Sequence, residues 1–245
     1  MIKAYAKTDK GKVREMNQDY YYISDTLDEI QLFIIADGMG GYNGGEIASQ
    51  LAVETAKKYI ENNFKDIEKD RDSIIQLLGS SIEYANMVVY EKSQEKQELQ
   101  GMGTTLEICL IYNNKAYIGH VGDSRIYRVR KQFIRKLTQD HSYVQKLVKD
   151  GTITKEQAEH HPQKNMLMRA LGCNAFVEPD VMVKGFLKDD VLIICTDGLT
   201  NMVGQETIYE IIRDNNIEQA SKELVKLAND NGGYDNITVI VIKNI

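Results

Sequence analysis

Short β-rich apolar segments occur in blocks along this chain, and their order limits the folds that it can adopt. They lie at Tyr20–Ile23, Gln31–Ala36, Thr105–Tyr112, Lys115–Val121, Ser124–Val129, Val191–Cys195 and Asn236–Ile242. Helical periodicity marks two pairs of segments, Gly45–Asn62 with Arg71–Glu95 and Glu206–Asp214 with Glu218–Asn229. Because helix pairs separate blocks of consecutive strands, without regular βαβ alternation, the order predicts an α+β fold with largely antiparallel sheets.

The whole chain, residues 1–245, is predicted to form one domain. It contains only two prolines, Pro162 and Pro179, and no Gly/Ser-rich linker divides it. The stretch from Asp140 to Leu171 differs from its surroundings because it is polar, has weak helical signals and holds three of the four histidines. We therefore expect a flap insertion on the surface at about residues 141–171.

Charge and cysteine content exclude several classes of protein. A net charge of −6 argues against general affinity for nucleic acid or for an anionic membrane surface. The sequence contains no run of about 20 apolar residues and no apolar segment near its N-terminus that would serve as a signal peptide. Three scattered cysteines indicate a reducing compartment rather than a disulfide framework. We expect a cytoplasmic monomer.

Aspartates stand at the ends of the predicted strands. Asp37, Asp123 and Asp197 each follow an apolar segment, whereas Asp19 and Asp235 each precede one. Strand ends are rigid, so carboxylates placed there can converge on one point. A single Asp-Gly after a strand is more often only a turn. The recurrence of the pattern favours a cluster of carboxylates instead.

Such a cluster needs cations to offset its own repulsion. Ligand sets made only of oxygen suit hard ions such as Mg²⁺ or Mn²⁺. The sequence has no H-E-x-x-H spacing, which argues against a zinc hydrolase. Two ions about 3.5–4 Å apart can activate a water molecule and hold a phosphoryl group.

An ordered set of motifs covers nearly the whole chain. The motifs are Arg14-Glu-Met-Asn-Gln-Asp19, Ala36-Asp-Gly-Met-Gly-Gly41, Gly103-Thr-Thr105, Gly119-His-Val-Gly-Asp-Ser-Arg-Ile-Tyr127, Leu137-Thr-Gln-Asp-His-Ser142, Asn165-Met-Leu-Met-Arg-Ala-Leu-Gly172, Thr196-Asp-Gly-Leu199 and Gly232-Gly-Tyr-Asp-Asn-Ile-Thr238. Together they resemble the bacterial branch of the PPM family, the metal-dependent protein serine/threonine phosphatases. The resemblance implies an αββα sandwich with the metal ions at one end of two central antiparallel sheets.

The resemblance also implies a site for two Mn²⁺ or Mg²⁺ ions. By this likeness Asp37 bridges both ions, and the carbonyl group of Gly38 binds the second. Asp197 and Asp235 are implied ligands of the first. The implied reaction is direct attack on phosphorus by a hydroxide that bridges the ions, without a phosphoenzyme.

Three further residues receive roles from the resemblance. Asp123 is similar to the residue that, together with Asp197, holds a third ion in bacterial members. Asp19 is implied to hold metal-bound waters. Arg14 is implied to bind the substrate phosphate, which a planar guanidinium can do with two hydrogen bonds.

The sequence departs from the family pattern at two positions. Many eukaryotic members carry a histidine after the Ala-Asp-Gly, where it can act as a general acid, but this chain has Met39, which has no proton to donate. Gln18 stands where an acidic residue is common. We expect the neutral amide to weaken binding of the second ion.

Three functions remain open from sequence. The first is a broad protein serine/threonine phosphatase that opposes a bacterial Ser/Thr kinase and acts on that kinase and its phosphorylated substrates. The second is a dedicated phosphatase of one regulatory partner. The third is a non-catalytic metal-binding module on the same fold, against which the presence of Asp37, Asp197 and Asp235 argues.

Other conspicuous residues have simpler interpretations. His120 lies within a predicted strand and is expected to be a core histidine with satisfied hydrogen bonds. His141 has two open roles, substrate contact and turn capping. The Gly40–Gly45 stretch matches no phosphate-binding loop and is predicted to be a turn into the next helix.

Overall fold

Two antiparallel sheets form the centre of the molecule. The computed structural model describes residues 1–25, 30–40 and 44–245. The strands are β1 (Ile2–Asp9), β2 (Asp19–Ile23), β3 (Gln31–Met39), β4 (Gly103–Thr104), β5 (Leu106–Tyr112), β6 (Lys115–Val121), β7 (Arg125–Arg130), β8 (Phe133–Lys136), β9 (Asp180–Gly185), β10 (Val191–Cys195) and β11 (Ile237–Asn244). One sheet has the order β1-β11-β10-β7-β8, and the other has the order β2-β3-β5-β6-β9 with β4 paired to β3.

Helices cover the outer face of each sheet. They are α1 (Gly44–Asn63), α2 (Arg71–Glu95), α3 (Tyr143–Lys149), α4 (Lys155–Glu159), α5 (Asp197–Thr200), α6 (Gln205–Asp214) and α7 (Ile217–Asp230), with a 3₁₀ turn at Gln97–Leu99. Helices α1 and α2 pack on the sheet that contains β3, and α6 and α7 pack on the sheet that contains β11. The predicted αββα sandwich is therefore confirmed.

The central strands are apolar on both faces because each sheet is buried between two layers. In β3, Phe33 faces the sheet that contains β10 and β11, whereas the next residue, Ile34, faces α1 and α2. In β10, Ile194 faces the space between the sheets and Ile193 faces the C-terminal helices. This alternation follows from the two-residue period of a strand. It explains why these segments read as continuous apolar runs.

The predicted central strands and helices agree with the structure to within a few residues. Four strands are absent from the prediction: β1, β4, β8 and β9. Three of them, β1, β8 and β9, lie at sheet edges, and each contains charged as well as apolar residues. Half of such a strand faces solvent, so its apolar signal is weak. The fourth, β4, has only two residues.

The flap segment, residues 141–171, contains two short helices, α3 and α4, where the sequence gives only weak helical signals. Both helices begin at a hydroxyl cap, Ser142 for α3 and Thr154 for α4. An isolated bridge between Ser142 and Leu167 closes the segment on itself, and a second bridge, between Thr104 and Leu171, joins its end to the sandwich. Its two ends are thus fixed close together.

Two further predictions concern the loops. Asn113 and Asn114 have φ angles of 46° and 56°, so the predicted hairpin turn between β5 and β6 is confirmed. The predicted turn at Gly40–Gly45, which includes the motif residue Gly41, falls partly on residues 41–43, outside the described residues.

No helix in the described ranges has the length and apolar character needed to cross a bilayer.

Candidate metal centre

Asp19 and Asp37 lie directly opposite each other in the β2–β3 ladder. The Asp19 side chain is buried, and that of Asp37 is partly buried. Burial raises the pKa of Asp37 well above its ordinary value, and repulsion from Asp19, Asp197 and Asp123 adds to the effect. Burial likewise raises the pKa of Asp19 to about 7. Two carboxylates this close are unfavourable when both are ionised, unless positive charge lies between them.

The Gly103-Thr-Thr105 motif fixes the backbone of Asp37. The Asp37 amide donates to Thr105 Oγ1 at 3.0 Å, and its carbonyl accepts from Thr104 Oγ1 at 2.8 Å and from the Thr105 amide at 2.9 Å. Thr105 Oγ1 also lies 2.9 Å from Ser124 Oγ, next to Asp123. The two threonines therefore join the Asp37 strand to the Asp123 turn, a role that the sequence does not reveal.

Asp19 is held by two hydroxyls from the other sheet. Thr196 Oγ1 donates to Asp19 Oδ2 at 3.0 Å, and Thr238 Oγ1 donates to the same oxygen at 2.6 Å. The second oxygen, Oδ1, is buried and has no hydrogen-bond partner in the described part of the chain. A buried carboxylate oxygen without a donor is well suited to a cation or to the water that a cation carries.

Asp197 approaches the same region from the end of β10, and Asp123 approaches it from the turn that joins β6 to β7. Asp197 begins α5 directly after β10, and Asn201 Nδ2 donates to its Oδ2 at 3.0 Å. Burial raises the pKa of Asp197, and repulsion from Asp235 contributes. Burial also raises the pKa of Asp123 to about 7, and the next contribution is repulsion from Asp197. The carboxylates of Asp123, Asp197 and Asp235 therefore share one electrostatic environment.

Gly38 allows the backbone of β3 to pass very close to its neighbours. A Cβ atom at Gly38 would lie 2.1 Å from the carbonyl oxygen of Gly45 and 2.5 Å from that of Gln18. The Gly38 amide donates to the Gln18 carbonyl at 3.2 Å. Only glycine fits this position, and it directly follows Asp37.

Asp235 and Arg14 meet at the exposed side of the cluster. Arg14 Nη2 donates to Asp235 Oδ2 at 2.8 Å. This hydrogen bond raises the pKa of Arg14, and the negative charges of Asp37 and Asp197 act in the same direction. Asn236 fixes the adjoining segment by donating to the carbonyls of Lys10 and Met16. The predicted residues Arg14, Asp19, Asp37, Asp123, Asp197 and Asp235 thus lie in one region.

The donor set fits hard divalent ions that keep part of their water. Within the described ranges, no three His, Cys, Asp or Glu side chains are already gathered around a single point as a ligand set. Mg²⁺ and Mn²⁺ do not require such a cage, because one or two carboxylates plus water can complete their coordination. Repulsion among the carboxylates and the unpartnered Asp19 Oδ1 both favour bound cations.

A family comparison agrees with this chemistry. Residues 9–232 match the family model of protein phosphatase 2C. This chain belongs to the protein phosphatase 2C family. It is an enzyme of that family, whose members depend on Mn²⁺ or Mg²⁺.

Similar proteins support the assignment to protein phosphatase 2C. The chain is 36% identical over 240 residues to the serine/threonine phosphatase stp of Listeria monocytogenes, covering 97% of this chain and 94% of that one. It superposes on the serine/threonine phosphatase Stp1 of Staphylococcus aureus with a TM-score of 0.92 and 34% identity, covering 100% and 96% of the two chains. The catalytic domain of the phosphatase PstP in complex with two manganese ions gives a TM-score of 0.85 and 32% identity, covering 99% and 97%.

A buried charged pair lies behind the Asp123 turn of this phosphatase. His120 Nδ1 is 2.5 Å from Glu107 Oε1, and His120 Nε2 is 2.8 Å from the Gln139 carbonyl oxygen. Burial lowers the pKa of His120, but the Glu107 carboxylate outweighs it and raises that pKa to about 9. The prediction of a satisfied core histidine is therefore confirmed.

The Gly122 amide donates to His141 Nδ1 at 3.2 Å, which agrees with turn capping.

Proposed function

We propose that this chain removes phosphate from phosphoserine and phosphothreonine side chains of proteins, with Mn²⁺ or Mg²⁺ ions at the Asp37 cluster. The observation that carries the proposal is the convergence of buried and partly buried aspartates from both sheets on one region beside Arg14. Such a cluster is unfavourable by itself and becomes favourable when divalent ions neutralise it. Family membership supports the reaction class.

The proposed ligands come from four segments of the chain. Asp37 and the Gly38 carbonyl, on β3, would hold the second ion, with Asp37 shared between both. Asp197 and Asp235 would hold the first, and Asp123 with Asp197 would hold a third. When bound, the ions supply an activated water as nucleophile and neutralise charge on the phosphoryl group.

The chain's own residues orient the site and the substrate. Asp19 is fixed by Thr196 and Thr238, and its unpartnered oxygen would hold metal-bound waters. Within the part of the chain that the structure describes, Arg14 makes one hydrogen bond, to Asp235, and its side chain is half-exposed, so its other guanidinium N–H groups could bind a phosphate. Met39 has no proton to donate, so a water molecule must protonate the leaving oxygen.

The proposed partners are a bacterial Ser/Thr kinase and the proteins that it phosphorylates, and the proposed location is the cytoplasm. The names of the relatives support this class of substrate, since those proteins are serine/threonine phosphatases. The three cysteines are free and two are buried, which suits a reducing compartment.

The test is hydrolysis of a phosphothreonine peptide and of p-nitrophenyl phosphate with Mn²⁺, with and without EDTA. Asp37→Asn keeps the shape of the side chain and removes its charge, so we expect turnover to fall at least about 100-fold. Asp66→Asn is the matched control because Asp66 is exposed and lies outside the cluster. Metal-independent turnover, or full activity of Asp37→Asn, would contradict the proposal.

A further inference from the structure

A large cavity lies between the flap segment and the sheet that contains β7 and β8. Its volume is about 770 Å³. Strands β7 and β8 contribute one wall, α3 and α4 another, and the start of α6 a third. Four cationic side chains line it, from Arg125, Lys136, Lys155 and Lys164, against the two carboxylates of Asp140 and Glu159.

The inner wall of this cavity carries surplus positive charge. Asp140 Oδ2 accepts from Arg125 Nη2 at 2.8 Å, and Asp140 Oδ1 accepts from Lys136 Nζ at 2.9 Å. One carboxylate thus serves two cations. Burial lowers the pKa of Lys136, and the nearby charges of Arg125 and Lys155 contribute in the same direction. Within the described ranges, no carboxylate forms an ion pair with Lys155 or with Lys164.

The opposite wall is the N-terminus of α6, where the amides favour an anion and Glu206 in the first turn opposes one. The N-cap residue, Gly204, makes no side-chain capping hydrogen bond, and Gly204 and Gln205 both line the cavity. The first intrahelical bond is donated by the Ile208 amide to the Gly204 carbonyl. The earlier amides of this ten-residue helix therefore have no helical acceptor, and an anion is a suitable partner for them.

The cavity borders the metal centre through one side chain. Asn201 lines the cavity, and its Nδ2 donates to Asp197 Oδ2 at 3.0 Å. A substrate chain that places its phosphorylated residue beside Asp197 would therefore lie close to the cavity. Electrostatic attraction at such a place contributes mainly to substrate choice.

We propose that this cavity is an accessory anion site that binds an acidic side chain or a second phosphate group on the same substrate chain. The inference rests on the proposed phosphatase function and adds a sequence preference to it. Lys155 and Lys164 select substrates with anionic residues near the scissile phosphothreonine, because the cavity gives those residues cationic partners.

The test compares three phosphothreonine peptides with neutral flanks, with aspartates on both sides, or with a second phosphothreonine. Lys155→Gln/Lys164→Gln removes two charges at exposed positions, so the fold should be retained. We expect kcat/KM for at least one anionic peptide to fall about three- to tenfold, with the neutral peptide and p-nitrophenyl phosphate unchanged. Which anionic peptide responds distinguishes a carboxylate from a phosphate ligand.

Two additional variants separate this site from general effects of charge. Lys226→Gln removes an exposed lysine from α7, outside the cavity, and should leave all three peptides unchanged. Lys155→Glu/Lys164→Glu should disfavour anionic flanks further. Equal loss on neutral and anionic peptides, or no loss on either anionic peptide, would overturn the proposed site. If the wild type fails to hydrolyse even p-nitrophenyl phosphate, the phosphatase function itself fails.

Discussion

At the scale of single residues, the fold places two like-charged side chains, Asp19 and Asp37, next to each other. They are paired across two strands, an arrangement that is destabilising for like charges. Asp19 is nevertheless buried among hydrogen bonds that favour its ionised form. A sequence selected only for stability would place apolar or oppositely charged residues here. The pair is therefore best explained by the cations that we propose it holds.

Gln18 gives a prediction at the same scale. Its carbonyl accepts from the Gly38 amide, and its side chain packs against Gly45, so it lies beside the proposed second ion. Gln18→Glu adds a negative charge there, and we expect the Mn²⁺ concentration for half-maximal activity to fall about three- to tenfold. Titration of activity with Mn²⁺ measures the change. Gln50→Glu, on the exposed face of α1, is the control, and an unchanged requirement for Mn²⁺ in Gln18→Glu would show the idea to be wrong.

The aspartates could be predicted from sequence, whereas their supports could not. Each aspartate stands beside an apolar run, which is a local signal. The hydrogen bonds of Thr196 and Thr238 to Asp19 depend instead on how two sheets stack, with about 180 or more residues between the partners. Glu107 was also missed, because it stands inside an apolar run and its partner His120 lies on the neighbouring strand.

At the scale of elements, the short helix α5 must pack against the start of β11 to place Asp197. A Cβ atom at Gly198 would lie 2.0 Å from the Asn236 carbonyl oxygen. Gly198→Ala should therefore push α5 outward and cost about 1–3 kcal/mol of stability, with loss of activity. Gly79→Ala is the comparison. Gly79 lies within α2, and the atom nearest to a Cβ added there would be 3.9 Å away. That change should stabilise the protein by about 0.5–1 kcal/mol. Thermal melts would show a lower melting temperature for Gly198→Ala and a higher one for Gly79→Ala.

The flap segment supports a second prediction about an element. Ser142 and Leu167 are bridged, so residues 144–164 can be replaced by a short Gly-rich turn without breaking either sheet. We expect peptide preference to change more than turnover of p-nitrophenyl phosphate, because the proposed metal ligands lie outside this segment. Loss of both activities to the same degree would place the flap in the chemistry itself.

Edge elements explain why the order of the fold was predictable but its full extent was not. The buried strands β5, β6, β10 and β11 carry continuous apolar runs. The edge strand β1 instead alternates exposed lysines with half-buried residues, and it gains its structure by pairing with β11 at the other end of the chain. Such pairing depends on contacts between the two termini, which a local pattern does not contain.

At the scale of the whole molecule, the metal centre couples stability to pH. Without bound ions, the pKa of Asp19 and that of Asp123 are about 7 in the folded protein, against an ordinary value of 3.8. Between these two values the folded state binds more protons than the unfolded state. The contribution of these groups to stability is therefore complete below about pH 3.8 and is lost as the pH rises through about 7.

Asp19→Asn isolates this contribution from that of the other carboxylates. The amide oxygen can still accept from both threonines, and no charge is left to repel Asp37. In EDTA we expect the variant to melt above the wild type at pH 8 by at least about 2 °C, and the difference to shrink at pH 5. Saturating Mn²⁺ should reverse the order at pH 8, because bound ions stabilise the charged cluster and the variant holds them less well. Asp66→Asn should show neither effect. If Asp19→Asn and the wild type differed in melting temperature by the same amount at pH 5 and pH 8, ionisation of Asp19 would not be what destabilises the fold.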